Sequence, residues 1–273
     1  MRPRNHLAIL ILCFLVFLSS NGKAQDSIAV LQYFPEKKVF PLLHADGLAH
    51  QFSISRVTDN NNWIAAIGSS IPILQLNLHW ATIQGSAAVT TFNRIIKTPG
   101  HITVHTIDYK VDIPVDIRFE DIVLQVGIGH ISCHFADDAI ELLGLRSIQH
   151  VNDYFRIVGA YDVAAIGGRF YAGFNYSYGT QPIQHRPWLL QIGTDFGNLQ
   201  LTSDVSAYGA IDLKVRQEAQ WGSTRSFQIG FILFPRGRFD LRIAYTLRMG
   251  HEERGQFYLN RETLNLISAF IDF

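Results

Sequence analysis

Cysteine is nearly absent from this 273-residue chain: there are two, and Cys13 lies within the amino-terminal apolar run. Once that run is removed Cys133 stands alone, which excludes an intrachain disulfide framework. Charge of either sign is not in excess, with 23 basic and 23 acidic residues. No basic surplus recruits nucleic acid, and no charged tail is present. Internal repeats, low-complexity tracts and a second compositional domain are also missing. The longest apolar run, Leu7 to Leu18, is too short to span a bilayer comfortably as a helix.

What is present begins with an export signal. Met1-Arg2-Pro3-Arg4 is basic, the apolar run ends in Ser19-Ser20, and Gly22-Lys23-Ala24 offers small residues at both positions a signal peptidase reads. Cleavage after Ala24 predicts a signal peptide over 1–24 and a mature chain starting at Gln25. No cysteine follows that site, so a lipid-anchored amino terminus is not expected. Loss of Arg2, Arg4 and Lys23 takes the formal charge from 0 to −3.

The mature region alternates. In Phe239-Asp-Leu-Arg-Ile-Ala-Tyr-Thr-Leu-Arg-Met249 every odd position is apolar and every even one polar or small. A strand of that kind matches a transmembrane β-barrel stave of about 9 to 11 residues. Leu74, Leu76, Leu78 and Trp80 alternate with Gln75, Asn77 and His79; Ile107, Tyr109, Val111 and Ile113 alternate with Asp108, Lys110 and Asp112. A soluble sandwich can also alternate. Three features favour a barrel. Opposite charges (Asp240, Arg242, Arg248) share the polar face, as in a packed hydrated lumen. Aromatics near strand ends (Trp63, Trp80, Tyr171, Tyr176, Tyr178, Trp188, Trp221, Phe257, Tyr258) suit interfacial girdles. The chain closes on an alternating strand ending at Phe273, which resembles the signal by which barrel insertion machinery recognises its clients.

The expected fold is therefore all-β: an antiparallel transmembrane barrel of about 12 strands over 49–273, in the outer membrane of a Gram-negative cell. Thirteen candidate strands can be placed, near 49–57, 62–70, 73–84, 86–95, 102–113, 117–134, 153–163, 167–178, 187–197, 199–216, 224–234, 237–249 and 262–273. Bacterial barrels usually have an even number, so one of the first three is surplus. Turns are expected at Asp59 to Asn62, Ile113-Pro114, Gly167-Gly168, Gly197-Asn198 and Pro235-Arg236-Gly237. Residues 25–48, with Phe34-Pro35 and Phe40-Pro41, read as an ordered arm in or under the barrel. Residues 135–152 form a long extracellular loop with a short helix, where Ile140, Leu143 and Ile148 would make an apolar face opposite Asp138, Glu141 and Arg146.

Chemistry concentrates beside that loop. Parity along 117–134 sends Asp121, Gln125, Gly127 and Gly129 to the lumen and His130, Ser132 and His134 to the top of the lipid-facing stripe. Residues i and i+2 of a strand lie about 6.6 to 7 Å apart on one face, within reach of an imidazole nitrogen for a serine hydroxyl. That arrangement suits a serine nucleophile, provided a third group orients the ring. Asp153 has matching parity on the next strand; Asp137, Asp138 and Glu141 lie in the loop.

His-x-Ser on an outward face resembles the motif of the outer-membrane lipid hydrolases, the phospholipase A and lipid A deacylase barrels. The resemblance implies a lipid acyl-ester hydrolase with Ser132 as nucleophile and His130 as base, and outer-membrane lipids as partners; no cofactor is expected, calcium being admitted only if the chain is such a hydrolase. This chain has Cys133-His134 where the phospholipase pattern has Asn-Gly, and Gly144 where its orienting residue stands. More broadly, Phe40-Pro41-Leu42-Leu43-His44-Ala45-Asp46, the 130–138 segment, Asp212 to Trp221 and Gly255-Gln256-Phe257-Tyr258 resemble an uncharacterised family of bacterial outer-membrane proteins of unknown function. That resemblance brings an architecture and no chemistry.

The leading reading is an outer-membrane barrel of unknown activity with a structural or interaction role, its functional end at the extracellular rim near 130–153. In it the His130 cluster is interfacial polarity where a strand leaves the hydrocarbon; the lipid esterase is the alternative to it. A shared metal is disfavoured because His130 and His134 lie about 13 Å apart on a straight strand, as do His101 and His105. A narrow or gated pore for a small or lipidic solute is a third reading, although interleaved charges at Asp108, Lys110, Asp112, Arg156, Asp212, Lys214, Arg216, Asp240, Arg242 and Arg248 suit a plugged lumen better than a selective one. Oligomeric state is not legible.

Overall fold

Strand alternation resolves into one inward and one outward row around a closed wall. The computed structural model describes residues 29–60, 62–98, 100–146, 149–183, 185–234 and 239–273. The expected signal peptide at 1–24, Ile148 and the turn at Pro235-Arg236-Gly237 lie outside the described residues. A short strand, β1 (Val30–Tyr33), precedes the wall. The wall runs through β2 (Phe52–Val57), β3 (Trp63–Asn77), β4 (Thr82–Thr98), β5 (His101–Phe119), β6 (Ile122–Phe135) and β7 (His150–Val163). It continues through β8 (Gly168–Gln181), β9 (Trp188–Gln200), β10 (Val205–Arg216), β11 (Gly222–Leu233), β12 (Asp240–His251) and β13 (Arg261–Asp272). Neighbours pair antiparallel, and β13 returns to β2 with Leu266 opposite Val57 and Ile271 opposite Phe52. The result is a closed barrel of twelve strands. Closure lets backbone groups of the wall pair within the sheet, the condition for crossing lipid with strands.

The even number follows from two of the first three candidates merging. The segment expected at 62–70 and the first part of that expected at 73–84 are one strand, β3, whose register shifts between Pro72 and Leu74, while 78–81 is a turn and 82–84 opens β4. β1 pairs with the far end of β3, Val30 opposite Asn77, beyond the reach of six-residue β2. Two expected turns are corrected. Ile113-Pro114 lies inside β5, and the turn falls at 120–121 instead. Pairing with β4 skips from Asp112 to Val115 while pairing with β6 is continuous, so the missing proline N–H faces the side where the ladder is already interrupted. Gly197-Asn198 likewise lies inside β9, at a bulge where pairing jumps from Ala207 to Gly209. Gly197 takes φ +76° there, which glycine permits.

The long connections, 136–149 and 252–260, leave the end opposite the described chain ends, while short turns at 78–81, 120–121, 164–167 and 201–204 share the other end. That asymmetry is the one expected of outer rim and periplasmic rim. Outward rows are oily: Ile113, Ile128, Phe155, Ile192, Ile229, Tyr245 and Ile267 are all exposed. Tyr171 is corrected from the girdle to the lumen, where it is buried and donates to Asp212 Oδ2 at 2.8 Å. Phe257 also leaves the girdle, stacking on His105 inside the 252–260 loop.

Residues between β1 and β2 run through the lumen. Val39, Phe40 and Leu43 pack on Val123, Val158, Ala160 and Tyr171 of the wall, each buried side chain contributing about 1.5 to 3 kcal/mol. Polar side chains of the wall hold the backbone: Gln84 Oε1 accepts from Val39 N at 3.0 Å, Asp195 Oδ1 from His44 N at 3.3 Å, and Lys110 Nζ donates to Leu48 O at 2.8 Å. Toward the outer end of β10 Lys214 is ion-paired with Asp46, Asp212 and Glu253. His50 bridges Thr90 Oγ1 at 2.9 Å and Asp112 Oδ2 at 2.8 Å. Cavities of about 90 and 70 Å³ remain beside this segment.

Candidate functional site

β6 carries its glycines inward and its polar rim residues outward. The cross-strand row through His130 reads Val111, His130, Asp153, Gly179 on β5 to β8. His130 and Asp153 both face the lipid side, with side chains 46% and 38% exposed, and His130 Nδ1 meets Asp153 Oδ1 at 2.6 Å. A direct cross-strand pair gains this contact without either side chain leaving its row.

Gly179 completes the row for a steric reason. A Cβ there would stand 2.8 Å from Asp153 Oδ2, so any larger residue displaces the carboxylate. The register also shifts between Asp153 and Tyr154, which face Gly179 and Ser177. Such a bulge re-aims side chains at a barrel rim.

Ser132 lies one row nearer the outer rim on the same face, half-buried between Tyr109 of β5 and Val151 of β7. His134 follows with its ring edge-on to Tyr109 at 5.9 Å. Among the described residues no hydrogen bond reaches the Ser132 hydroxyl. The structure therefore brings His130 and its carboxylate together and places Ser132 on their face, with the serine–histidine contact open. Asp153 holding Nδ1 leaves Nε2 as the nitrogen that can take a proton.

The loop carboxylates are not part of this group. Asp138 Oδ2 accepts from Val104 N at 3.2 Å on the extended end of β5, and among the described residues neither Asp137 nor Glu141 bonds to His130. Helix α1 (Asp137–Leu143) also departs from expectation: Ala139 is its buried residue, whereas Ile140, Leu142 and Leu143 are exposed. Calcium takes six to eight oxygen ligands. Asp153, the carboxylate opposite His130 and one row from Ser132, is already engaged by His130, and no group of three or more His, Cys, Asp or Glu among the described residues is placed to hold a metal ion.

On the inner side of the same strands lies a row that sequence reasoning did not assemble. Cys133 pairs across the sheet with Asp108 of β5 and His150 of β7, all three buried and inward. Neither His150 ring nitrogen has a partner. Inward parity of Asp108 and Cys133 was the available signal; the start of β7 at His150 rather than Asp153 hid the third member. In the luminal segment, His44 is held well below the usual imidazole range by burial and then by Arg242 and Arg169. Burial followed by the Lys110 charge lowers His50 in the same direction, against the pull of Asp112. Burial alone would raise Asp46, but the Lys214 ammonium carries it below the usual carboxylate range.

No family model matches the chain, and no curated protein matches it. Solved structures do. The chain is similar to outer membrane phospholipase A from Escherichia coli, in an active-site mutant form, at 12% identity with a TM-score of 0.52, over 82% of this chain and 90% of that one. A second structure of the same Escherichia coli protein gives 12% identity and a TM-score of 0.50 over the same shares. The β domain of a Bordetella autotransporter is more distant, at 9% identity and a TM-score of 0.37, over 82% of this chain and 98% of that one. The fold is that of an outer-membrane β-barrel, and likeness at this identity carries the fold alone.

Proposed function

We propose that this barrel is a serine-dependent esterase of the outer membrane that cleaves acyl esters of lipids lying against its outer face. The observation that carries the reading is the 2.6 Å contact of His130 Nδ1 with Asp153 Oδ1, outward-facing and one row from Ser132. Asp153 would fix the tautomer that leaves Nε2 free and stabilise the imidazolium. Ser132 Oγ would attack the ester carbonyl carbon as its proton passes to His130 Nε2. Collapse of the tetrahedral adduct breaks the acyl C–O bond, and the leaving alcohol takes that proton. Water, deprotonated by His130, then attacks the acyl-serine and releases the fatty acid. An ester in the membrane would reach the serine laterally, without entering the lumen.

The name of the Escherichia coli neighbour, a phospholipase, agrees with this class, although the chemistry rests on the His130 row. The same reading puts the chain in the outer membrane, inserted through β13 and its terminal Phe273. The segment and ion pairs that occupy the lumen speak against wide diffusion. The test is fluorophosphonate labelling of protein folded in detergent, beside Ser132→Ala and His130→Ala variants that keep their heat-modifiable mobility. Labelling of the parent that both variants lose supports the esterase. An unlabelled parent, with calcium present and absent, reduces the cluster to interfacial polarity.

A further inference from the structure

The opposite side of the barrel carries a cationic patch that the esterase reading does not use. β12 stands six strands around the ring from β6. On that wall Phe227, Ile229 and Phe231 of β11, Ile243 and Tyr245 of β12 and Ile267 of β13 form an exposed apolar stripe. Toward the outer rim the stripe changes character. Arg225 follows Phe227 on the outward row, and Arg261 opens β13; both are exposed. Register sets Arg225 beside Met249 and Met249 beside Thr263, with His251 beside Arg261 one row higher. Arg261 Nε lies 3.4 Å from His251 Nε2. Arg56 of β2, opposite Ile267, adds a third exposed guanidinium to the same face.

These arginines contrast with those inside. Arg94, Arg242, Arg248 and Arg254 each face a carboxylate. Among the described residues neither Arg225 nor Arg56 has an ion pair or side-chain hydrogen bond, and no carboxylate pairs with Arg261. Glu262 borders the groove, yet it is turned inward to Arg94 at 3.0 Å. A cation at the edge of the hydrocarbon is costly unless an anion meets it there. The groove between Arg225, Met249, His251, Arg261 and Thr263 has a volume of about 380 Å³ and opens directly above the apolar stripe.

We propose that this wall is a binding site for a phosphate-bearing lipid of the outer leaflet. Its acyl chains would lie along Phe227, Ile229, Tyr245 and Ile267, and its phosphate between Arg225 and Arg261. Guanidinium groups match phosphate oxygens in planar two-point contacts, and the patch adjoins the outer end of the apolar stripe. A soluble anion would need no stripe, and an apolar partner would need no arginine.

The test is native mass spectrometry of the detergent-folded Ser132→Ala protein titrated with hexa-acyl diphosphoryl lipid A, which keeps hydrolysis separate from binding. Arg225→Gln with Arg261→Gln should weaken binding about tenfold or more, the loss expected for one or two charge-assisted hydrogen bonds. Removing the phosphates from the lipid should weaken binding to the parent equally and leave the double variant unaffected. Lys97→Glu, an exposed rim change two strands beyond β2, should leave affinity unchanged. Equal binding by parent and double variant, retention of the dephosphorylated lipid, or displacement by millimolar inorganic phosphate would each overturn the proposal. So would a dimer that the double variant abolishes, since a second copy would then cover the wall.

Discussion

Lys214→Met tests whether the luminal segment is locked by charge. The Lys214 side chain is 4% exposed and faces Asp46 of the segment, Asp212 of its own strand and Glu253 of the outer loop, which are 6%, 2% and 6% exposed. Methionine keeps an unbranched stem up to the Cε position and removes the ammonium. Asp46 then retains hydrogen bonds from the Gln191 amide at 3.1 Å and the Leu48 N–H at 2.9 Å and the more distant charges of Arg156 and Lys110, while Glu253 keeps Arg248 at 3.2 Å. Removing one partner of a buried pair costs about 3 to 5 kcal/mol, because the other charge stays buried. These surviving contacts place the expected loss at the lower end, about 3 kcal/mol. The assay is reversible urea unfolding in detergent or lipid, with protease nicking of residues 34–51 as a local reading. Asp46→Asn should destabilise by less. The double variant should recover at least about 1 kcal/mol of the summed losses, as coupled neighbours do. A loss below about 1 kcal/mol with strictly additive variants would refute the idea that this cluster holds the segment.

Other expectations follow from the same geometry. Asp153→Ala should lower esterase turnover by about 10² to 10⁴, the range for losing general-base function or its orienting group, with heat-modifiable mobility unchanged; turnover within a factor of about two would remove Asp153 from the mechanism. Gly179→Ala should cost less, about tenfold, by pushing the Asp153 carboxylate off His130 without deleting it; a drop equal to that of Asp153→Ala would mean a wider distortion. Acid should weaken the fold through His44 and His50, whose pKa values are lowered from 6.5 chiefly by burial. The unfolded chain takes up protons that the folded one resists, so stability is full above pH 6.5 and falls below it by up to about 1.4 kcal/mol per unit per histidine. Urea midpoints between pH 7.5 and 5 should show that slope flatten in a His44→Asn/His50→Gln variant. An unaltered slope would assign the acid sensitivity elsewhere.

Alternation made the barrel and its strand parity legible, because a period of two on a half-buried wall sorts residues by face wherever the chain pairs. Parity alone sent His130, Ser132 and Asp153 outward and Asp108, Lys110 and Asp112 inward. It failed where a breaker residue was tolerated. Pro114 and Gly197 read as turns, yet each occupies a point where one ladder is already broken, and only pairing with the neighbouring strands reveals such a point. Tyr171 read as a girdle aromatic because composition does not report that Asp212 waits for its hydroxyl two strands along the wall, over Gly193.

The sequence by itself determined the compositional class and the two faces of each stave, since these depend on local order along one strand. Tertiary structure decided which residues meet. The pairing of His130 with Asp153 depends on how far the 136–149 connection lets β7 slide against β6, and the space for the carboxylate depends on Gly179, a strand further on. The docking of Asp46 on Lys214 spans 168 residues, and register summed around a closed ring, which no local period encodes, sets that distance.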